Sequence, residues 1–284
     1  MIRAVVTDLD NTLYSWVNYI VPALEAMVTS LCETTGYPRI RVVQSLKEVY
    51  ERVGTNDYAF AIQESSIFRE FHSDFDSFNA LVIGPAKEAF ARARRKYLEL
   101  YPGAREGLDS LRAQGLKVIG LTDSPRNSAE ARVRALQLDQ KLDALYTLPA
   151  YPLPQWVEER IRRLEEEGHY RLGIPVIELA PDCEKPSGMG LSRVLQDLGL
   201  QPAEVLMVGD NRAKDGGTAR AAGCLWAWAE YGTYLSLEYR ERLDVISPRS
   251  VTRRHFAEPG DPALDPDWAL SNFMQVSGIV APST

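Results

Sequence analysis

The sequence predicts an α/β fold, a parallel sheet with helices on both faces, and an α-helical module inserted after the first strand. Two observations carry this. Short apolar runs recur at Ala4 to Leu9, Lys117 to Thr122, Glu204 to Gly209 and Leu225 to Ala229, with helical patterns between the later ones. Strands that alternate with helices argue for a parallel sheet covered on both sides. Between the first two runs, by contrast, residues 15–101 keep helical periodicity with no strand run to interrupt it.

Taken in chain order, Ala4 to Leu9 is β-branched and ends in Asp8, Asp10 and Asn11, as expected of a buried parallel strand running into a loop. Val17, Ile20, Val21, Leu24, Val28 and Leu31 then trace one helical stripe, and Ile40, Val43, Leu46, Val49 and Tyr50 a second. Phe60 to Phe71 and Ala86 to Leu98 are two more helical candidates. The chain returns to the sheet at Tyr101-Pro102-Gly103. A helix over Gly103 to Gln114 pairs Leu108 with Leu111 and stops at Gly115, a residue suited to the left-handed C′ position. After Thr122, Pro125 suits a first helical turn, and Ala129, Val133 and Leu136 continue one face. Pro186 to Gly199, with Val194, Leu195 and Leu198, repeats the pattern ahead of the next strand.

Two segments fit the alternation poorly and are read as embellishments: Pro149 to Asp182, with a charged helix around Trp156 to Glu167, and the tail from Thr233. Pro and Asp make Glu258 to Asp267 irregular, while Trp268 to Val276 is apolar enough to pack back. The expected organisation is therefore a core of 1–14 and 102–235 with an insertion at about 149–182, a helical domain over 15–101, and an extension over 236–284 packed on the core.

Composition bounds the function. The 284 residues are 45% hydrophobic and 25% charged, ordinary globular values, and no apolar run approaches the roughly 20 residues that span a bilayer. A net charge of −7 gives no general attraction for nucleic acid or anionic membrane, so an anionic substrate must be met by a local device. Cys32, Cys183 and Cys224 are an odd number in no CxxC spacing, which indicates neither a disulfide framework nor a zinc site and fits a cytoplasmic location. The N-terminus lacks a signal-peptide pattern.

The sharpest chemical signal is Asp8-Leu9-Asp10-Asn11-Thr12, two carboxylates one residue apart at the carboxyl end of a strand, where ligands bind in open α/β sheets. Taken alone, the motif is also compatible with a turn in which Asp and Thr cap backbone groups. Asp210-Asn211-Arg212-Ala213-Lys214-Asp215 repeats the arrangement after another apolar strand. Gathering Asp8, Asp10, Asp210 and Asp215 in one crevice is repulsive unless a cation neutralises them, and a donor set made only of oxygen points to Mg2+. Lys185 supplies a second positive charge and Thr122 a hydroxyl.

In this order, hhhDxDxT, hhhT, K and hhGDxxxxD, with h an apolar residue, the chain resembles the haloacid dehalogenase (HAD) superfamily of hydrolases. The likeness spans Asp8 to Asp215, implies a Rossmann-like core, and makes the helical insertion similar to a C1 cap. It further implies Asp8 as nucleophile, Asp10 as general acid and base, and Thr122, Asp123 and Lys185 as phosphate-binding residues. Asp8, Asp10 (through its main-chain carbonyl) and Asp210 would hold the metal, with Thr12, Asn211 and Asp215 supporting them and Asp215 orienting Lys185 or a metal-bound water. The implied activity is Mg2+-dependent hydrolysis of a small phosphorylated metabolite through an aspartyl-phosphate. A non-hydrolytic phosphoacceptor or binding protein on the same scaffold is the alternative. A haloacid dehalogenase is a third reading, disfavoured because halide departs without a proton donor and position 10 carries a carboxylate.

One residue departs from the family pattern. Position 123 is often Asn, whereas here Asp123 places a negative charge beside the expected phosphate. Either its side chain points away and only its N–H contributes, or the substrate offers a donor; Ser124 could serve instead, or cap the helix after Pro125. Substrate choice is expected to come from the helical domain. There, Arg92, Arg94, Arg95 and Lys96 form a basic run that reads equally as a solvated face, and Tyr58, Phe60, Phe68, Phe71 and His72 an aromatic set that reads equally as core. Tyr14 and Trp16, at the junction, line the entrance or pack the hinge.

Overall fold

The computed structural model of the chain describes residues 1–67, 75–151, 171–252 and 264–281. Seven strands form its sheet: β1 (Ala4–Thr7), β2 (Lys117–Pro125), β3 (Ala144–Leu148), β4 (Val176–Glu178), β5 (Val205–Gly209), β6 (Leu225–Trp228) and β7 (Trp268–Ala269). Their order is β4-β3-β2-β1-β5-β6-β7, and every neighbouring pair is parallel. Every residue of β1 and β5 is buried, so their sequences run apolar without alternating.

The sheet order reverses between β1 and β5, because the chain builds outward through β2, β3 and β4 on one side and through β5, β6 and β7 on the other. Ligands of open α/β sheets bind in the crevice at such a switch point, beyond the carboxyl ends of the strands. Val6, Ile119, Leu121 and Met207 pack with Leu191 and Val194 of the helix Met189–Leu198 and with Trp226. Val5, Val118 and Leu206, which point to the opposite face by the two-residue period, are equally buried. The helix Ala104–Ala113 buries Leu108 and Leu111 and is followed by Gly115 at φ +77°, the left-handed stop expected there.

Three strands escape the sequence pattern. Val176–Glu178 is a half-exposed edge of three residues and Trp268–Ala269 has two, less than apolar periodicity needs to register, while in Ala144–Leu148 Thr147 breaks the apolar run. The segment read as an embellishment from Pro149 thus ends in an edge strand, β4, that belongs to the sheet. The charged helix expected at Trp156 to Glu167 lies outside the described residues, as do Phe68, Phe71 and His72.

The chain divides into two compact units, Met1–Ser15 with Leu100–Thr233 and Gly260–Thr284, and Trp16–Glu99 with Tyr234–Pro259. Within the second, the helix Trp16–Thr35 buries Val17, Ile20, Val21, Leu24, Val28 and Leu31, the predicted stripe. The helix Arg39–Val53 buries Val43, Leu46, Val49 and Tyr50, but Ile40 is 74% exposed: it sits in the first turn, ahead of the first packed residue, Val42. Of the helix expected over Phe60 to Phe71, the described residues show a turn at Ala61–Glu64, a bend at Ser65 and helix again at 66–67, and the last expected helix spans Gly84–Tyr97.

The tail corrects the expectation of a single extension on the core. Its first part belongs to the helical unit, where the helix Leu237–Ile246 buries Leu243 and Ile246. Arg242 pairs with Glu25 there, and Lys47 Nζ donates to the carbonyls of Asp244 (2.8 Å) and Val245 (3.1 Å), a cation meeting the carbonyl end of a helix. Asn56 Nδ2 donates to Ser247 Oγ at 3.1 Å. The second part returns to the sheet unit as β7 and buries Leu270, Phe273 and Val276.

Candidate active site

The ends of β1, β2 and β5 deliver the acidic and hydroxyl side chains. The Asp8 N–H donates to the Val208 carbonyl at 2.8 Å, which extends the β1–β5 pairing one residue past the strand. A tight turn follows, with the Leu13 N–H on the Leu9 carbonyl at 2.9 Å, the Asn11 N–H on the Tyr14 carbonyl at 2.7 Å, and Asn11 itself left-handed at φ +58°. Asn tolerates that conformation better than most residues. Asp8, Asp10 and Thr12 are all buried. The Thr12 hydroxyl has no hydrogen-bond partner among the described residues, and its carbonyl accepts from Tyr231 Oη at 2.6 Å.

At the end of β5, Asp210 is buried, and its main-chain carbonyl accepts from Trp228 Nε1 at 2.8 Å. The chain then folds back so that Asp215 lies directly beneath Gly209; a Cβ at position 209 would overlap the Asp215 carboxyl group, so only glycine fits. The turn is held by Asn211, whose N–H donates to Asp215 Oδ2 at 2.9 Å and whose Oδ1 accepts the Lys214 N–H at 3.0 Å.

Lys185 Nζ sits between two carboxylates, 2.6 Å from Asp8 Oδ1 and 2.6 Å from Asp215 Oδ1, and is buried with them. Asp8, Asp210 and Asp215 form a cluster in which one oxygen from each lies within 4.8 Å of the others. Burial is the largest effect on Asp8 and pushes its carboxyl up to about 8; Asp215 and Asp10 add to the rise while Lys185 opposes it. Asp210 is raised by the same causes, burial first and then Asp215 and Asp8. Burial opposes the charge on Lys185, but Asp215 and Asp8 outweigh it and hold the ammonium above its ordinary range.

One ammonium cannot balance three buried carboxylates, and the excess negative charge in an all-oxygen donor set suits a small hard divalent cation such as Mg2+. Both oxygens of Asp215 are already engaged, by Lys185 and by the Asn211 N–H, which leaves Asp8 and Asp210 as the side chains best able to hold a metal. The Asp10 carboxylate lies apart from this trio, for its Oδ2 accepts from Ser124 Oγ at 2.7 Å and from Arg132 Nη2 at 3.2 Å.

The side chain of Asp123 is engaged by the protein itself, the first of the two arrangements expected for this position, which leaves its N–H as the group that could meet a phosphate. Its Oδ1 accepts the Lys185 N–H at 3.0 Å and its Oδ2 accepts from Lys214 Nζ at 2.8 Å. The Lys214 ammonium and a main-chain N–H compensate the charge that made this position anomalous, and Asp123 ties the Lys185 segment to the turn after β5. Thr122 is buried with its Oγ1 accepting the Ser124 N–H at 3.1 Å. The β2–β3 register shifts between Leu121 and Pro125, an irregularity that re-aims side chains at a strand end.

A protein-family model, haloacid dehalogenase-like hydrolase, matches residues 2–223. The chain belongs to this hydrolase family. A phosphoglycolate phosphatase of Chromobacterium violaceum is 28% identical over 239 residues, covering 81% of this HAD chain and 86% of the relative. Among solved structures, a 2-haloacid dehalogenase from Pseudomonas syringae aligns with a TM-score of 0.58 at 20% identity, over 99% of this chain and 98% of that one. A HAD hydrolase of Bacillus subtilis, solved with bound magnesium, gives 0.51 at 14% identity over 98% of each chain. These structural likenesses establish the shared fold.

Sequence reading missed Arg132 and Lys214 in this HAD site. Arg132 is 2% exposed and lies three residues after Ala129 and next to Val133, on the apolar face of the helix Arg126–Ala135. A charged residue on a core-facing stripe requires an internal counter-charge, and that was the available signal. Lys214 is hidden inside the motif that supplies Asp210 and Asp215.

Proposed function

We propose that this HAD hydrolase is a Mg2+-dependent phosphatase that hydrolyses a small phosphate monoester through an aspartyl-phosphate on Asp8. The observation that carries the reading is Asp8 itself, a buried carboxylate held 2.6 Å from Lys185 Nζ at the switch point of the sheet, with Asp210 beside it and Asp10 two residues on. Phosphoryl transfer needs positioning and charge cancellation more than covalent ingenuity, and this arrangement supplies both.

Asp8 and Asp210, with the Asp10 main-chain carbonyl, would hold the metal, which when bound neutralises charge on the phosphoryl oxygens. Asp8 attacks phosphorus as the bond to the leaving oxygen breaks, and Asp10 gives that oxygen a proton. Water then attacks the phosphorus of the aspartyl-phosphate, Asp10 takes back a proton, and the bond to Asp8 breaks to release inorganic phosphate. Lys185 and Thr122 hold the phosphoryl oxygens, with Asp215 fixing Lys185 and Asn211 fixing Asp215. Because halide leaves without protonation, the acid at position 10 favours phosphate esters over haloacids.

The phosphoglycolate phosphatase relative makes a phosphorylated small acid the first compound to try, alongside sugar phosphates and nucleoside monophosphates, and the three free cysteines fit a cytoplasmic setting. Phosphate release from such a panel with Mg2+, lost on chelation and in Asp8→Asn, is the expected result. A wild-type protein that releases no phosphate from any ester, or one unaffected by Asp8→Asn, refutes the proposal.

A further inference from the structure

The buried guanidinium of Arg132 joins side chains of the turn after β1 to one at the end of β2. Its Nη2 donates to Asp10 Oδ2 at 3.2 Å and to Ser124 Oγ at 2.5 Å, and its Nε donates to Tyr14 Oη at 2.9 Å. Ser124 Oγ accepts from Arg132 and donates onward to Asp10 Oδ2 at 2.7 Å, so the donors and acceptors of this network are consistent. Arg132 and Tyr14 are buried. A guanidinium is a rigid planar fork, and fixing it on several partners fixes the carboxylate it holds.

An arginine buried at this depth could simply be a structural counter-charge, but its position argues for more. The carboxylate it grips is the one that the phosphatase reading makes responsible for proton transfer, and Arg132 and Ser124 meet it on the same oxygen. One edge of the carboxyl is thereby pinned and the rotation of the group is set. We propose that Arg132 is a positioning residue, which acts through Ser124 and Tyr14 to hold the Asp10 carboxyl in the orientation that delivers a proton to the leaving oxygen. This inference rests on the proposed phosphatase activity.

A test follows from leaving-group chemistry. An alkoxide departs only with a proton, whereas 4-nitrophenolate is stable enough to leave unassisted. Because kcat/KM reports on steps up to the first irreversible one, it registers proton donation for an alkyl phosphate and not for 4-nitrophenyl phosphate. The measurement is kcat/KM of the Mg2+-loaded full chain on 4-nitrophenyl phosphate and on the best alkyl ester of the substrate panel, for wild type, Arg132→Met, Arg132→Lys and Tyr14→Phe. In Arg132→Met the alkyl ester is expected to lose about 100-fold, the size of a general-acid contribution, while the aryl ester changes little. Arg132→Lys recovers part of the loss, and Tyr14→Phe shows a smaller loss with the same selectivity.

Equal losses on both esters, as a general structural role would give, or no loss on either, overturn the inference. Should Arg132→Met fail to fold, the selectivity of Tyr14→Phe and Arg132→Lys decides in the same way. Wild-type protein inert toward both esters refutes the phosphatase reading itself, and this inference with it, a result distinct from an active enzyme whose variants lack the selectivity.

Discussion

Replacing Asp8 by Asn should make the metal-free protein more stable at neutral and mildly alkaline pH while abolishing its activity. Burial, with Asp215 and Asp10 nearby, pushes the Asp8 carboxyl from 3.8 to about 8. Below the unfolded value both states hold the proton. Between the two values the folded state keeps a proton that the unfolded chain has released, so this contribution to stability falls as pH rises and is gone above about 8. At about 1.4 kcal/mol per tenfold, the interval sets a ceiling of roughly 6 kcal/mol. Part of that burden falls on Asp210, raised by the same burial, so Asn at position 8 should return about 2 to 4 kcal/mol at about pH 8 and much less at about pH 5.

The assay is denaturant unfolding of chelator-treated wild type and Asp8→Asn across that range, with and without Mg2+. A metal that binds the ionised site must stabilise the wild type by mass action, increasingly as pH rises, and must stabilise Asp8→Asn far less. A variant less stable than wild type at about pH 8 in the absence of metal, or a wild-type Mg2+ effect that shrinks with rising pH, refutes the electrostatic account of the site.

Three further outcomes are expected. Lys185→Met removes the ammonium that lies between Asp8 and Asp215; loss of one partner of a buried ion pair typically costs about 3 to 5 kcal/mol, readable by denaturant unfolding, and phosphate release should fall to background. Gly209→Ala drives a methyl group into the Asp215 carboxyl, so the melting temperature should drop by the equivalent of about 1 to 3 kcal/mol, with a lower kcat from the displaced Lys185. Lys214→Met removes the cationic donor to Asp123, leaving its negative charge uncompensated beside the proposed phosphate site, and steady-state kinetics should show KM raised about tenfold, or about 1.4 kcal/mol.

Much of the sheet unit was legible because β1 and β5 are buried, largely apolar runs and two of its helices stop at the left-handed glycines Gly115 and Gly199. What escaped had little length or little contrast: β4 is a three-residue edge and β7 has two residues. The tail was misassigned because the helix Leu237–Ile246 buries only Leu243 and Ile246 and leaves Leu237 and Val245 exposed, so its sequence carries little sign of which unit it joins. At the site, the order Asp8, Asp10, Thr122, Lys185, Asp210, Asp215 could be read directly, whereas side-chain direction could not. Asp123 could be read as an anomaly beside a phosphate but not as the partner of Lys214, because a cation 91 positions away leaves no local trace. Arg132 was the opposite case, visible in principle as a charge on an apolar face.

The central position of β1 has a consequence for how the protein is made. This strand leaves the ribosome well ahead of one of its two neighbours, β5, which begins only at Val205, and the contact between Asp8 and Lys185 closes a span of 177 positions. During synthesis, therefore, one apolar edge of β1 waits unpaired until β5 has emerged, the circumstance in which nascent chains with distant strand pairings depend on protection from aggregation. Chains stalled before Val205 should bind holdase chaperones, and release should coincide with the appearance of β5.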